Sequence, residues 1–270
     1  MDATAVRRSE HSSFFLCRFT PCFLGLAVCS EYDIFDVYGT LDELTLFTDV
    51  VSRYVSRHSM ISLMKLAPGS IYQENGWDPT NSLQIAWKSL CKTFLIEAEW
   101  FASGNMTSAK EYLENGIVSS GVNTGLVHMF FLLGEGLTKE NVQTIDRVPE
   151  IISSSTRILR LWDDLKNAKD EYQEGNDGSY VDCLLREQRE LSLKSARELV
   201  MSKISDVWKS LNKECLSDDT FPATFTKASL KLARMVPLMY DYDNNHSLPK
   251  LGQLVKSLFS DECRHSTSKL

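Results

Sequence analysis

The sequence predicts an all-α fold. Strand-like alternation is scarce from residue 42 onward, apolar residues recur at helical spacing over long segments, and Ser, Thr and Gly stand where helices begin and end. The chain has 270 residues, of which 43% are hydrophobic and 10% aromatic, so it can bury a substantial core. Disordered and fibrous proteins are therefore disfavoured.

Helical patterns occupy most of the chain, and short polar residues mark several of their ends. The expected helices are residues 86–102, 108–115, 118–133, 148–171, 181–215 and 223–239. Ser108 and Thr138 occupy N-cap positions, because their hydroxyls can accept hydrogen bonds from the first unpaired N–H groups of a helix. Gly104, Gly134 and Gly175 mark expected helix ends.

Three segments interrupt this pattern. Residues 118–121 (Val-Ser-Ser-Gly) break an otherwise apolar helical run. Their small side chains either expose backbone carbonyls to a cavity or allow tight helix packing, and both interpretations stay open. Residues 52–70 have no clear apolar period, so we expect an irregular joint there. Residues 171–180 are polar and glycine-containing, which predicts a loop.

Charge and cysteine usage limit the partners and the compartment. The formal net charge is −7, which argues against a nucleic-acid partner because such proteins normally carry a basic face. The seven cysteines are odd in number and include no Cys-x-x-Cys pair, so neither a disulfide framework nor a zinc site is indicated. A reducing compartment is the default expectation.

Residues 1–30 form an atypical N-terminal segment. Its apolar stretch, residues 19–29, follows three arginines but is too short to span a bilayer, so we expect no stable membrane insertion. A signal peptide, an organelle transit peptide and an abnormal gene-model start fit this segment about equally. Both a cytoplasmic and a plastid location therefore stay open.

The main functional signal is an acidic segment with an arginine one turn before it. Arg160 precedes Asp163, Asn167 and Glu171, which follow each other at intervals of four residues. On a helix this spacing drifts only modestly around the surface, so three side-chain oxygens can lie along one edge. Hard divalent cations prefer oxygen ligands. The segment therefore predicts a site for Mg²⁺ and a diphosphate group.

A second, smaller acidic pair precedes it in the chain. Asp33 and Asp36 are three residues apart and share one face if their segment is helical. Two facing acidic helices would form a metal cluster. A solvated helix face is the ordinary interpretation of either motif alone, so the prediction depends on both occurring together.

The two acidic segments resemble the motifs of the C-terminal, class I catalytic domain of plant terpene synthases. Residues 33–44 resemble the segment that holds the family motif Asp-Asp-x-x-Asp, and residues 163–171 resemble its second motif, Asn/Asp-Asp-x-x-Ser/Thr-x-x-x-Glu. The similarity spans residues 33–51 and 72–262. The stretches most similar to the branch that makes linalool and nerolidol are residues 76–79, 97–101, 116–121 and 176–180.

The resemblance implies a class I terpenoid synthase helical bundle over residues 31–270, incomplete in comparison with the family. It implies a monomer that uses Mg²⁺, with Mn²⁺ as a substitute, to ionise geranyl or farnesyl diphosphate. Water capture would then give an acyclic alcohol of the linalool or nerolidol type. Phe130, Phe131 and Trp100 are either walls of the cavity or ordinary core.

The same resemblance implies roles for individual residues. Arg160 and Asp163 would contact the diphosphate, and no general acid or base is assigned. The implied metal ligands are Asp33, Asp36, Asp163, Asn167 and Glu171.

The chain also departs from the family pattern. Tyr32 stands at the first aspartate of the first motif, and a phenol is a poor substitute for a carboxylate at neutral pH. Asn167 replaces the Ser or Thr of the second motif, and this change is tolerable because an amide oxygen can also bind a hard cation. The family's N-terminal domain and upstream arginine-rich segment have no counterpart, and residues 51–72 look shorter, so we expect a truncated chain.

These departures leave two alternatives open. In the first, the chain is an inactive remnant that keeps the fold, weak Mg²⁺ binding and an ability to associate with other proteins. In the second, which ranks last, it is a prenyl chain-elongating transferase. Such enzymes usually carry aspartate-rich sequences in both motifs, whereas the second motif here is of the Asp/Asn/Glu type.

Overall fold

A computed structural model describes residues 39–54, 77–104, 107–168, 178–217 and 220–240 of the chain. These residues form α-helices joined by short connections, with no strand among them, and this confirms the all-α prediction. The helices are α1 (Leu41–Tyr54), α2 (Thr80–Ser103), α3 (Ala109–Ser119), α4 (Val122–Leu133), α5 (Lys139–Ile145), α6 (Glu150–Asn167), α7 (Tyr180–Glu187), α8 (Leu193–Leu216) and α9 (Ala223–Tyr240).

The central element is α6, which packs against α3, α4, α7, α8 and α9. Its first half contains a run of four small hydroxyl residues, 153–156, all of them buried. These hydroxyls are tolerated there because they bond to the helix itself: Ser155 Oγ donates to the Ile151 carbonyl and Thr156 Oγ1 to the Ile152 carbonyl, both at 2.9 Å. Small side chains let neighbouring helices approach α6 closely, and near the end of the helix Asp163 and Asp164 are also buried.

The remaining core is built from aromatic and aliphatic side chains. Phe130 is fully buried, and its ring lies edge-on to Phe131 and Phe225 with centroids 5.4 Å from each. Phe221 extends this cluster at 6.1 Å. Phe130 therefore packs among core aromatics, whereas Trp100 is half-buried on α2.

Most of the predicted helix ends are confirmed. Ser108 forms a capping box with Glu111: its Oγ accepts from the Glu111 N–H at 3.2 Å, and the Glu111 carboxylate accepts from the Ser108 N–H at 3.3 Å. Thr138 Oγ1 accepts from the Asn141 N–H at 3.1 Å. Gly104 adopts φ 64°, a left-handed conformation that glycine allows without strain.

The prediction of one helix over residues 181–215 was wrong. The chain forms α7 and α8 instead, because Gln188 leaves the helical conformation with φ −121° and ψ 83°. Ser192 then starts α8 by accepting a hydrogen bond from the Ser195 N–H at 3.1 Å. Other boundaries also moved: α2 begins at Thr80 rather than at residue 86, α3 extends to Ser119, and residues 52–54 belong to α1 rather than to an irregular joint. The prediction that α6 runs to residue 171 was wrong, because Ala168 leaves the helical conformation with ψ 122° and the helix ends at Asn167.

Residues 118–121 interrupt the helical run as expected. Helix α3 ends at Ser119, and Gly121 turns the chain with φ 71° before α4 begins. The stretch 109–133 is long and apolar enough to cross a membrane by length and composition. This turn divides it, however, and most of it is buried in the bundle, so it is accounted for as core.

Candidate metal and diphosphate site

Two adjacent carboxylates near the end of α6 lie inside the bundle. Asp163 is 6% exposed and Asp164 is 4% exposed, and Arg160 lies one turn before them with a side chain 14% exposed. Helix α6 continues to Asn167, and the Ala168 N–H bonds to the Asp164 carbonyl at 2.9 Å. The regular helix explains why this cation and these carboxylates occupy neighbouring positions.

The Arg160 guanidinium is enclosed but makes few hydrogen bonds. It lies 4.8 Å from the centroid of the Tyr112 ring, and its Nη2 donates to the Tyr112 hydroxyl. Two carboxylates lie slightly further away: Asp164 Oδ1 is 3.6 Å from Nε, and Glu97 Oε1 is 3.8 Å from Nη2. Of the five N–H donors of a guanidinium, one is bonded among the described residues, and Nε is buried without a partner. Arg160 therefore keeps donors for a further acceptor.

Asp164 is directed towards other parts of the protein. Its Oδ1 accepts from the Tyr112 hydroxyl at 2.9 Å, and its Oδ2 accepts from the Tyr180 N–H at 3.2 Å. Burial raises the pKa of the Asp164 carboxyl to about 7, although Arg160 and both hydrogen bonds oppose this shift. Asp164 thereby joins α3, α6 and α7, which is a role distinct from that of its neighbour Asp163.

A second carboxylate near Arg160 is that of Glu97 on α2. Its Oε1 accepts from Ser119 Oγ at 2.6 Å and from Asn115 Nδ2 at 3.1 Å. Neither Glu97 nor Tyr112 was predicted from the sequence to belong to this site. The spacing of Asn115 and Ser119, four residues apart on one helix face, is the signal that could have indicated a buried polar partner.

Gly116 provides the space in which the Arg160 side chain lies. A Cβ atom at this position would be 3.0 Å from Arg160 Cγ and 3.3 Å from its Nε. Such distances are shorter than an ordinary van der Waals contact, so Arg160 would have to move by a few tenths of an ångström. The absence of a side chain at Gly116 therefore sets the path of the arginine.

The described residues include only part of the predicted metal site. Arg160 and Asp163 are brought together on α6. Asn167 is the last residue of α6, but its side chain, like residues 32, 33, 36 and 171, lies outside the described residues. Within the described ranges, no three His, Cys, Asp or Glu side chains are grouped so as to hold a metal ion. The five-residue ligand set stays a prediction.

Comparison with known proteins identifies the family. Residues 24–210, more than half of the chain, match the model of the terpene synthase family, metal binding domain. The chain belongs to this family. The resemblance noted from the two acidic motifs is confirmed.

Curated relatives of this terpene synthase domain include a nerolidol synthase and a linalool synthase. It is 52% identical to an (E)-nerolidol synthase of Cannabis sativa, over 84% of this chain and 43% of the relative. It is 48% identical to the chloroplastic S-(+)-linalool synthase of Arabidopsis thaliana, over 84% of this chain and 42% of the relative. The chain therefore spans about two fifths of the length of these relatives.

A solved terpene synthase has the same architecture. Isoprene synthase from grey poplar leaves, in complex with three Mg²⁺ ions and dimethylallyl-S-thiolodiphosphate, matches with a TM-score of 0.73 at 26% identity. The match covers 93% of this chain and 53% of that one. This confirms the class I terpene synthase fold.

Proposed function

We propose that this chain is a Mg²⁺-dependent terpene synthase that converts geranyl or farnesyl diphosphate into an acyclic alcohol of the linalool or nerolidol type. Two relatives with about half of their aligned residues identical carry the names of such synthases. Since the chain spans about two fifths of their length, their activity is attributed to it here as a proposal.

The observation that carries this proposal is the state of Arg160. A buried cation is costly unless anions and hydrogen-bond acceptors compensate it, and among the described residues this guanidinium has one hydrogen bond and two carboxylates beyond 3.5 Å. A diphosphate would supply several oxygen acceptors for the remaining N–H groups. Asp163 is among the charges that raise the pKa of Arg160, so the arginine stays protonated beside it.

The available donors fit a hard cation. Asp33, Asp36, Asp163, Asn167 and Glu171 offer only oxygen ligands, which Mg²⁺ or Mn²⁺ accepts. The described member of this set, Asp163, is a buried carboxylate next to a buried cation. When bound, Mg²⁺ would neutralise negative charge that develops on the diphosphate.

The reaction begins with cleavage of the allylic C–O bond, and the bonding electron pair leaves with the diphosphate. Arg160 stabilises the charge that grows on this leaving group. The helix bundle limits the access of water to the allylic cation. One water molecule then attacks the cation and loses a proton, so the balanced products are an alcohol, diphosphate and one proton. No residue is assigned as the acid or base of this step.

The first experiment is incubation of the purified chain with geranyl and farnesyl diphosphate, with Mg²⁺ or with a chelator, and analysis of products by gas chromatography and mass spectrometry. We expect a Mg²⁺-dependent alcohol from the wild type and none from Asp163→Asn. Asp206→Asn, the same chemical change at an exposed residue, serves as the control. Folded wild-type protein that forms no product would contradict the proposal.

The second candidate is a non-catalytic domain that keeps weak Mg²⁺ binding, and the observation that favours it is Tyr32 at the place of a motif aspartate. If the second motif carries most of the metal affinity, Glu171→Gln should weaken Mg²⁺ binding in calorimetry more than Asp33→Asn does. Tyr32→Asp should raise the affinity. An unchanged titration would show that the first segment does not contribute to the metal site.

We also propose that the chain acts as a monomer in the plastid, the compartment in the name of the Arabidopsis relative. Light scattering at several protein concentrations tests the first statement. A fluorescent fusion of the whole chain in leaf cells tests the second, with cytosolic fluorescence as the contrary result.

A further inference from the structure

We propose that Tyr112 is a positioning residue, whose hydroxyl acts together with the open space at Gly116 to fix the orientation of the Arg160 guanidinium. The inference rests on the proposed function of Arg160 as a diphosphate contact. It assigns to α3, which carries none of the predicted ligands, the task of aiming the arginine on α6.

The Tyr112 hydroxyl uses both of its bonding capacities at this site. Its oxygen accepts from Arg160 Nη2, and its hydrogen is donated to Asp164 Oδ1 at 2.9 Å. Burial raises the pKa of Tyr112 well above its ordinary value, so the hydroxyl keeps its hydrogen. The ring below the guanidinium adds a cation–π contact at 4.8 Å. Tyr112 therefore constrains both the direction and the plane of the arginine head.

Gly116 constrains the remainder of the same side chain. It lies one helical turn after Tyr112, so the two positions share a face of α3. The Arg160 stem passes over Gly116, where a methyl group would displace it by a few tenths of an ångström, while its head reaches Tyr112. Two positions one turn apart on α3 thus define the path of the whole Arg160 side chain.

The orientation matters because a guanidinium is planar and presents its N–H groups in a fixed fork. A donor that is already aimed stabilises developing charge without a cost of reorganisation during the reaction. If Tyr112 only held α3 against α6, its loss would lower stability without changing the order of Arg160. The two roles therefore differ in what they do to the arginine itself.

The test compares Tyr112→Phe and Gly116→Ala with Tyr180→Phe. Tyr180 is also buried beside Asp164, but only its backbone N–H contacts that carboxylate, so its hydroxyl is a matched control. The first readout is the ¹H–¹⁵N resonance of Arg160 Nε, assigned with Arg160→Lys and recorded without ligand. The second is calorimetric binding of inorganic pyrophosphate in the presence of Mg²⁺.

We expect Tyr112→Phe and Gly116→Ala to shift or broaden the Arg160 resonance and to weaken pyrophosphate binding about tenfold, as the loss of one aimed hydrogen bond to a charged group would. Tyr180→Phe should change neither. Gly116→Ala replaces a glycine inside a helix, which favours the helix, and so it tests the orientation if Tyr112→Phe fails to fold.

An unchanged Arg160 resonance in both α3 variants would overturn the inference, as would equal losses in Tyr180→Phe or the absence of pyrophosphate binding by the wild type. The proposed function fails independently: a wild type that makes no terpene but binds pyrophosphate in a Tyr112-dependent way keeps the inference. If Tyr112→Phe shows normal turnover and a normal Arg160 resonance, the proposed function holds and the inference about Tyr112 fails.

Discussion

The buried imidazole of His128 should make the stability of this fold depend on pH. His128 lies on α4, and its Nδ1 is 2.8 Å from the Thr124 carbonyl, to which it can donate. Its ring is edge-on to Trp87 at 6.0 Å, and its Nε2 is buried without a hydrogen-bond partner. Protonation would place a charged N–H where the described part of the chain offers no acceptor, and burial lowers the pKa of His128 to about 4.

The size of the effect follows from the two pKa values. The unfolded chain takes up a proton near pH 6.5, whereas the folded chain resists it until about pH 4. The contribution is therefore complete above pH 6.5 and is lost as the pH falls through this window. At about 1.4 kcal/mol per pH unit, the free energy of unfolding should fall by about 3 kcal/mol.

The assay is urea unfolding at several pH values between 7.5 and 4, for wild type and His128→Asn. Asparagine keeps a donor for the Thr124 carbonyl but does not titrate. The variant should be less stable than the wild type at neutral pH because it packs less well against Trp87, but its stability should depend less on pH, so the difference narrows as the pH falls. Other titrating groups, including Asp164, are common to both proteins and cancel in the difference.

Parallel curves for the two proteins would refute this reasoning about His128. They would show that the pKa of its imidazole is the same in the folded and unfolded chains. A steeper loss in His128→Asn would refute it as well, because a non-titrating side chain cannot add to the proton uptake of the unfolded state.

Three further predictions concern stability and reactivity. Ser108→Ala removes the capping box of α3 and should cost about 1 kcal/mol in urea unfolding; no loss would show that the cap is redundant. Asp206→Asn removes an exposed pair with Lys209 and should cost about 0.5 kcal/mol or less by the same assay. Burial raises the pKa of Cys183 to about 12, so peptide mapping after iodoacetamide should show it alkylated at least several-fold more slowly than the half-exposed Cys215; equal rates would contradict its burial.

Local sequence signals predicted much of the helical arrangement because the relevant interactions are short in range. The cap at Ser108 bonds to a residue three positions away, and the periodic pattern of α6 reflects its own buried face. The break between α7 and α8 was missed since residues 188–191 are mostly residue types that helices accept. The hydroxyl of Ser192 is the local signal for that boundary.

The candidate site, by contrast, depends on contacts between residues that are far apart in the sequence. The spacing of Arg160 and Asp163 on one helix predicted that they lie together, but Tyr112 and Glu97 come from helices 48 and 63 positions earlier in the chain. No interval in the sequence indicates such contacts. Nor could the sequence show which of two adjacent aspartates is directed towards α3 and α7, since that depends on how α6 is rotated in the bundle.

Asp164 accepts hydrogen bonds from both ends of the segment that connects α6 and α7. The Ala168 N–H bonds to the carbonyl of Asp164, and the Tyr180 N–H bonds to its carboxylate. The segment between these two attachments is therefore closed on a single anchor, and the closure entropy of a flexible segment grows slowly, by about 0.6 kcal/mol for each doubling of length. Insertions or deletions after Glu171 and before Gly178 should be tolerated by both helices as long as the anchor remains, because they leave the spacing of Asp163, Asn167 and Glu171 unchanged.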